Sequence, residues 1–159
     1  MEDCFACGGG DVDQQQIDHI KEFGLSVIGT EEIVDGFRIP LTYSIGITST
    51  LGKPEVVVYG LPTKHAHIFI NMYYARIKAG EMLIPGVEYD DFAADGFKLQ
   101  FKEITRESYA SSLIQAKYYN DSRNIELKAY QLIYPDADGN WPWDPEVDDM
   151  FKTNANVLP

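Results

Sequence analysis

The chain has 159 residues, 45% of them hydrophobic and 13% aromatic, so it is long enough to bury one sizeable core and too apolar to be disordered. Thirteen basic against 25 acidic residues give a formal charge of −12, which repels phosphate backbones and anionic lipid and argues against a nucleic-acid or membrane partner. The longest apolar run, Val56–Gly60, is far too short to span a bilayer, and no basic segment followed by an apolar stretch opens the sequence. A soluble, cytoplasmic protein is therefore expected.

Residues 1–12 read as a flexible, Gly-rich lead. Asp11 or Asp13 can cap a helix in which Ile17, Ile20 and Phe23 recur at helical spacing and which Gly24 ends. LSVIGTEEIV (25–34) reads as a strand, and Asp35-Gly36 as the turn of a hairpin that returns as FRIPLTYSIGI (37–47). Pro40 predicts that this second strand is an edge strand or is bulged. After a Gly-Lys-Pro turn, EVVVYG (55–60) has the unbroken apolar pattern of a strand covered on both faces.

Pro62 then starts the clearest helix, with an apolar stripe of Ala66, Phe69, Ile70, Tyr73 and Ile77 and a stop at Lys78 and Gly80. Turns at Pro85-Gly86 and Asp95-Gly96 precede a strand at 97–104. Thr105 can cap a helix reaching about Tyr118, and IELKAYQLIYP (125–135) is the last strand. PDADGNWPWDPE is expected to be an ordered loop and residues 152–159 a frayed tail. Together these predict a single α+β domain over 13–151, with a mostly antiparallel or mixed sheet and about three helices on one side of it.

The only two cysteines, Cys4 and Cys7, form a C-x-x-C with knuckle spacing. His19 follows Cys7 by twelve residues, but no second histidine stands three to five residues beyond it. His65 and His67 are the remaining imidazoles, and on a helix they point roughly 200° apart, so a Cys₂His₂ zinc site would need His19 and one of them from a distant segment. No other cofactor is evident. A thioredoxin-like pair is expected after a strand, whereas this one precedes every strand. Two reduced thiols on a flexible lead are the plain alternative, and pairing with a second copy's cysteines in a dimer is another.

His67 and Asn71 stand four apart on the clear helix, on one face. A polar pocket there, with Tyr43, Ser44 and Glu55 supplied by the strands and Glu55 as general base or anchor, is the arrangement a small enzyme or ligand sensor would use. The acid-rich stretch from Asp136 to Asp149 holds no Lys or Arg. With Asp138, Trp141, Trp143 and Asp144 it offers either a solvated face with tryptophans packed inward or a surface for a basic protein partner. A calcium-loop reading fails, because Tyr134 and Pro145 would occupy the first and twelfth ligand positions. G-x-S-x-G, P-loop, G-x-G-x-x-G and H-E-x-x-H motifs are absent.

The ordered string Phe23-Gly24-Leu25, YSIGIT (43–48), GKPEVVVYGLP (52–62), AHIFIN (66–71), G-E-x-x-x-P-G-x-x-Y (80–89) and QLIYPDADGNWPWD (131–144) resembles the bacterial family known as domain of unknown function 4262. The resemblance covers roughly residues 14–146. It implies that Tyr43, Gly46, Pro54, Glu55, Pro142, Trp143 and Asp144 are family positions, as is the cysteine pair in some members. Phe23, Ser44 and Lys53 stand where relatives carry His, Thr and His, which weakens any enzyme reading that rests on the turn histidine. A fold-level likeness to Suppressor-of-Fused-like domains, some of which are toxin-binding immunity proteins, implies a binding module.

Overall fold

A computed structural model describes residues 13–94 and 96–159. In chain order they form α1 (Gln14–Phe23), β1 (Ser26–Val34), β2 (Phe37–Ile45), α2 (Ile47–Leu51), β3 (Glu55–Tyr59), α3 (Thr63–Lys78), β4 (Gln100–Glu103), α4 (Arg106–Ser112), α5 (Ile114–Asp121), β5 (Ala129–Ile133) and α6 (Asp149–Ala155). The five strands make one mixed sheet in the order β1-β2-β3-β5-β4, in which only the central β3–β5 pair is parallel. The fold is single-domain α+β, as expected.

Local chemistry accounts for the element boundaries. The Asp13 carboxylate accepts the Gln16 N–H at 3.0 Å at the start of α1, and Gly24, in the left-handed region, gives its N–H to Ile20 O at the end. Asp35 and Gly36 both have positive φ, 51° and 83°, which matches the right-handed twist of the strands they join and fixes the register at Val34 opposite Phe37. Every residue of β3 is buried because it is the middle strand.

The sheet has a core on each face, which corrects the expectation of helices on one side. Ile39, Leu41, Tyr43, Val57 and Tyr59 pack with Leu113, Ala116 and Tyr119 of the α4–α5 region, while Val56, Val58 and Leu132 pack with Ala66, Ile70, Tyr73 and Ile77 of α3. Among the described residues there are six helices rather than about three. The short α2 and α6 were not expected, and the helix after Thr105 is split at the fully buried Leu113, whose φ and ψ of −120° and 52° leave the helical region.

Pro40 is neither at an edge nor in a bulge. β2 pairs with β1 over nine successive residues and with β3 on its other side. The Pro40 carbonyl accepts the Gly60 N–H at 2.9 Å, so its ring nitrogen faces the same side, just past the last β3 residue, where no ladder donor is required. The Gly60 carbonyl, which proline cannot serve, accepts Asn154 Nδ2 at 3.1 Å instead.

The C-terminal segment is likewise not frayed. Asp148 caps α6 by accepting the Phe151 N–H at 2.8 Å. The fully buried Gln131 side chain of β5 donates to the carbonyls of Ala155 and Asn156, at 3.2 and 3.0 Å, and accepts the Leu158 N–H at 2.8 Å. Replacing this amide by a near-isosteric apolar side chain strands three backbone groups. Gln131→Leu is expected to lower the unfolding free energy by about 2 kcal/mol and to speed amide exchange over 154–158 before the rest of the sheet opens. Urea titration and hydrogen exchange check both; unchanged exchange there would show that Gln131 does not hold the segment.

Candidate functional site

The sequence-predicted residues fall into three places. The first is the junction of β2, α2 and β3. Glu55, the first residue of β3, is 0% exposed and turns its carboxylate onto the start of α2. Oε1 accepts the Ser44 hydroxyl at 2.7 Å and the Ile47 N–H at 3.2 Å, and Oε2 accepts the N–H groups of Gly46 and Thr48 at 3.1 and 3.0 Å. Gly46, with φ of 103°, turns the chain so that these three amides converge on one carboxylate. Ser44 Oγ also accepts the Val56 N–H at 3.0 Å, which locks the hydroxyl between the two strands.

Burial pushes the Glu55 pKa up to about 7, and the four donors pull against that rise. The three amides cannot reverse their polarity. Of the four partners only Ser44, a hydroxyl, has lone pairs with which it could accept from a protonated Glu55. Tyr43 is structural too: its hydroxyl accepts the Gln115 N–H at 3.1 Å, meeting one of the open amides at the start of α5, and burial pushes its pKa up to about 12.

The second place is a cleft of about 410 Å³ between α1, the start of β1, and α3. His67 and Asn71 line it from α3, His19 and Phe23 from α1, and Leu25 and Val27 from the chain entering and beginning β1. Tyr43, Ser44 and Glu55 do not line it, so the general-base geometry that would join Glu55 to His67 is not formed. The structure instead places His67 and His19 on the lining of one cleft, two imidazoles that nothing local in the sequence connects. Cys4 and Cys7 lie outside the described residues. Among the described residues no cluster of three or more His, Cys, Asp or Glu forms a metal site.

The third place is the W-P-W-D loop. Asp136 Oδ1 accepts the N–H groups of Asp138 and Asn140, each at 2.9 Å, and Asp144 Oδ2 accepts the Trp141 N–H at 2.8 Å. Those two carboxylates set the loop's shape. Trp141 and Trp143 stack, with ring centroids 5.8 Å apart and planes 9° apart, across a buried Pro142. Trp141 is partly buried, whereas Trp143 remains 51% exposed, so only one tryptophan follows the inward-packing expectation. Trp143 and Pro142 line a cleft of about 310 Å³ with Val34 and Asp35 of the β1–β2 hairpin and Lys152 of α6. The hairpin and α6 contributions depend on the tertiary fold and have no local signal in the loop.

A family model described as Domain of unknown function (DUF4262) matches residues 19–148. The chain belongs to this family. No curated protein and no solved structure matches it. In this DUF4262 chain the matched span includes the Glu55 cradle, both cleft histidines and the W-P-W-D loop; the cysteine pair lies before it.

The elevated Glu55 pKa fixes a sign for the stability of the DUF4262 fold. Below the ordinary value of 4.5 both folded and unfolded states hold the proton; between there and about 7 only the folded state does. The contribution is therefore complete at low pH and is lost as pH rises through that window. Wild type is expected to lose roughly 3 kcal/mol relative to Glu55→Gln between about pH 4 and about pH 8. Parallel urea-derived stability profiles for the two proteins would remove this linkage.

Proposed function

We propose that this DUF4262 protein is a cytoplasmic binding module that recognises an arginine-bearing segment of a basic protein partner on the Trp143 face. The observation that carries the reading is Trp143, 51% exposed yet held in place by its stack on Trp141 and by the Asp144-capped loop. A large aromatic ring fixed at the surface loses little freedom on binding, and its face attracts a guanidinium. Asp35 at the cleft wall, with Asp138 and Glu146 exposed on the loop, adds negative potential that steers a basic segment and opposes an acidic one. Val34 and Val157 in the same cleft suit an apolar neighbour of that arginine. The net charge of −12 points the same way and away from nucleic acid.

Glu55 plays no part in this reading, since its oxygens are occupied by α2 and Ser44.

The test uses an amidated peptide of alternating Arg and Leu and its Glu-Leu counterpart, with Trp141→Phe as background so that fluorescence reports Trp143. The Arg-Leu peptide is expected to quench the emission saturably, with a midpoint that rises at least about threefold between about 50 mM and 300 mM salt. Calorimetry with Trp143→Ala should show binding lost, and Asp138→Lys should weaken it. An equal response to the Glu-Leu peptide, or calorimetric binding that survives Trp143→Ala, would overturn the proposal.

A further inference from the structure

Lys53 and Lys128 stand far apart in the chain, yet the sheet brings them to one opening. Glu55 lies opposite Ala129 in the parallel β3–β5 pair, so the residues that enter the two strands run side by side. Lys53 and Pro54 lead into β3 and Lys128 into β5, and with Glu103 at the end of β4 they line a cleft of about 600 Å³. It shares no residue with the histidine cleft or the Trp143 cleft, of which the first holds no ammonium group and the second only Lys152.

The backbone of this cleft is fixed while its cations are free. The Lys53 carbonyl accepts the Thr48 hydroxyl at 2.8 Å, the Pro54 carbonyl accepts the Tyr73 hydroxyl at 2.9 Å, and the Lys128 carbonyl accepts the Glu55 N–H at 2.8 Å. Both lysines are exposed, and among the described residues neither side chain makes an ion pair or a hydrogen bond. Lys98 and Lys117, by contrast, each hold a carboxylate. Glu103 lines the same cleft and is paired with neither lysine, so two like charges share one opening without an anion between them. The Tyr130 hydroxyl, also on the cleft and without a hydrogen-bond partner among the described residues, keeps its proton because burial raises its pKa, and is a further donor.

We propose that this cleft binds a phosphate monoester of a small polyol, with the phosphate between Lys53 and Lys128 and the polyol hydroxyls on Glu103. Such a phosphate carries roughly 1.5 to 2 negative charges at neutral pH, which two ammonium groups match and a single carboxylate would only half satisfy. Lysine meets phosphate as a point charge, so the pair needs no planar fork, and Tyr130 can donate to a further phosphate oxygen. Glu103 accepts from neutral hydroxyls and repels a second phosphate, which favours polyol monophosphates over bisphosphates and nucleic acid. Exposed charges act over about 8 Å at physiological ionic strength, so the groups in the cleft, not the net charge of −12, decide what enters it. Glu55 supplies no ligand contact, because its oxygens are held by α2 and Ser44.

Calorimetry on the full chain in phosphate-free buffer tests this with glucose 6-phosphate, glycerol 3-phosphate, glucose, inorganic phosphate and fructose 1,6-bisphosphate. Saturable binding of at least one monophosphate is expected, with glucose silent and with inorganic phosphate and the bisphosphate at least about tenfold weaker. Lys53→Ala and Lys128→Ala should each weaken the monophosphate by at least about tenfold, and Lys64→Ala, at an exposed lysine outside the cleft, should leave it unchanged. Glu103→Gln should narrow the preference over inorganic phosphate and the bisphosphate. All four positions are exposed, and circular dichroism checks that the variants remain folded. No saturation by either monophosphate up to about 10 mM, or binding indifferent to both cleft-lysine variants, would overturn the proposal. So would equal affinity for inorganic phosphate or the bisphosphate, which would mean that phosphate charge alone is read.

Discussion

A single buried carboxylate organises the middle of this protein. Glu55 gathers the end of β2 through Ser44, the opening amides of α2 through Gly46, Ile47 and Thr48, and the first residue of β3, all within twelve residues of chain. Without it, three amides and a hydroxyl would be shut away from water with no acceptor, each at a cost of about 1–3 kcal/mol. Because β3 is the central strand, between β2 and β5, the position of this junction sets the register from which the remaining strands are hung. A residue type usually read as catalytic or solvated is here a fastening.

That arrangement leaves one cleft at each end of the edge strand. Ser26 and Val27 begin β1 at the histidine cleft, and Val34 and Asp35 end it at the Trp143 cleft. Seven residues of extended chain place these about 24 Å apart, so an occupant of one does not block the other. Between them the outer edge of β1 is unpaired by any described strand, and Glu31 and Glu32 put charge along it, which discourages another chain from adding to the sheet.

The features legible in the sequence were those whose cause is local. The Asp35-Gly36 turn, the capping of α1 by Asp13, the apolar run of β3 and the stripe of α3 each follow from a short window of residues. What escaped depended on partners far along the chain. Pro40 suggested an edge because its tolerance rests on where β3 stops. The tail looked loose because its anchor, Gln131, sits on a strand whose apolar pattern draws no notice to one amide. Glu55 was legible as an unusual acid but not as a cap, since the five-residue α2 has too little periodicity to be read. His19 and His67 both stand out in the sequence, yet their place on one cleft is a product of how α1 and α3 pack against β1.

The parallel β3–β5 pair bears on how the chain finds this structure. Its strands are separated by some seventy residues, including α3, β4, α4 and α5, so closing them demands a large loss of chain entropy before any ladder bond is gained. The β1–β2 hairpin and the Glu55 cradle need only loops of about a dozen residues or fewer. The topology thus implies an order of assembly in which residues 26–59 make a three-stranded meander early, with its buried carboxylate in place, while the second half of the sheet waits on the slow long-range closure. During that wait the outer margin of β3 is unpaired along its valine run, Val56–Val58, and it is the interval in which this chain is most exposed to pairing with the wrong partner.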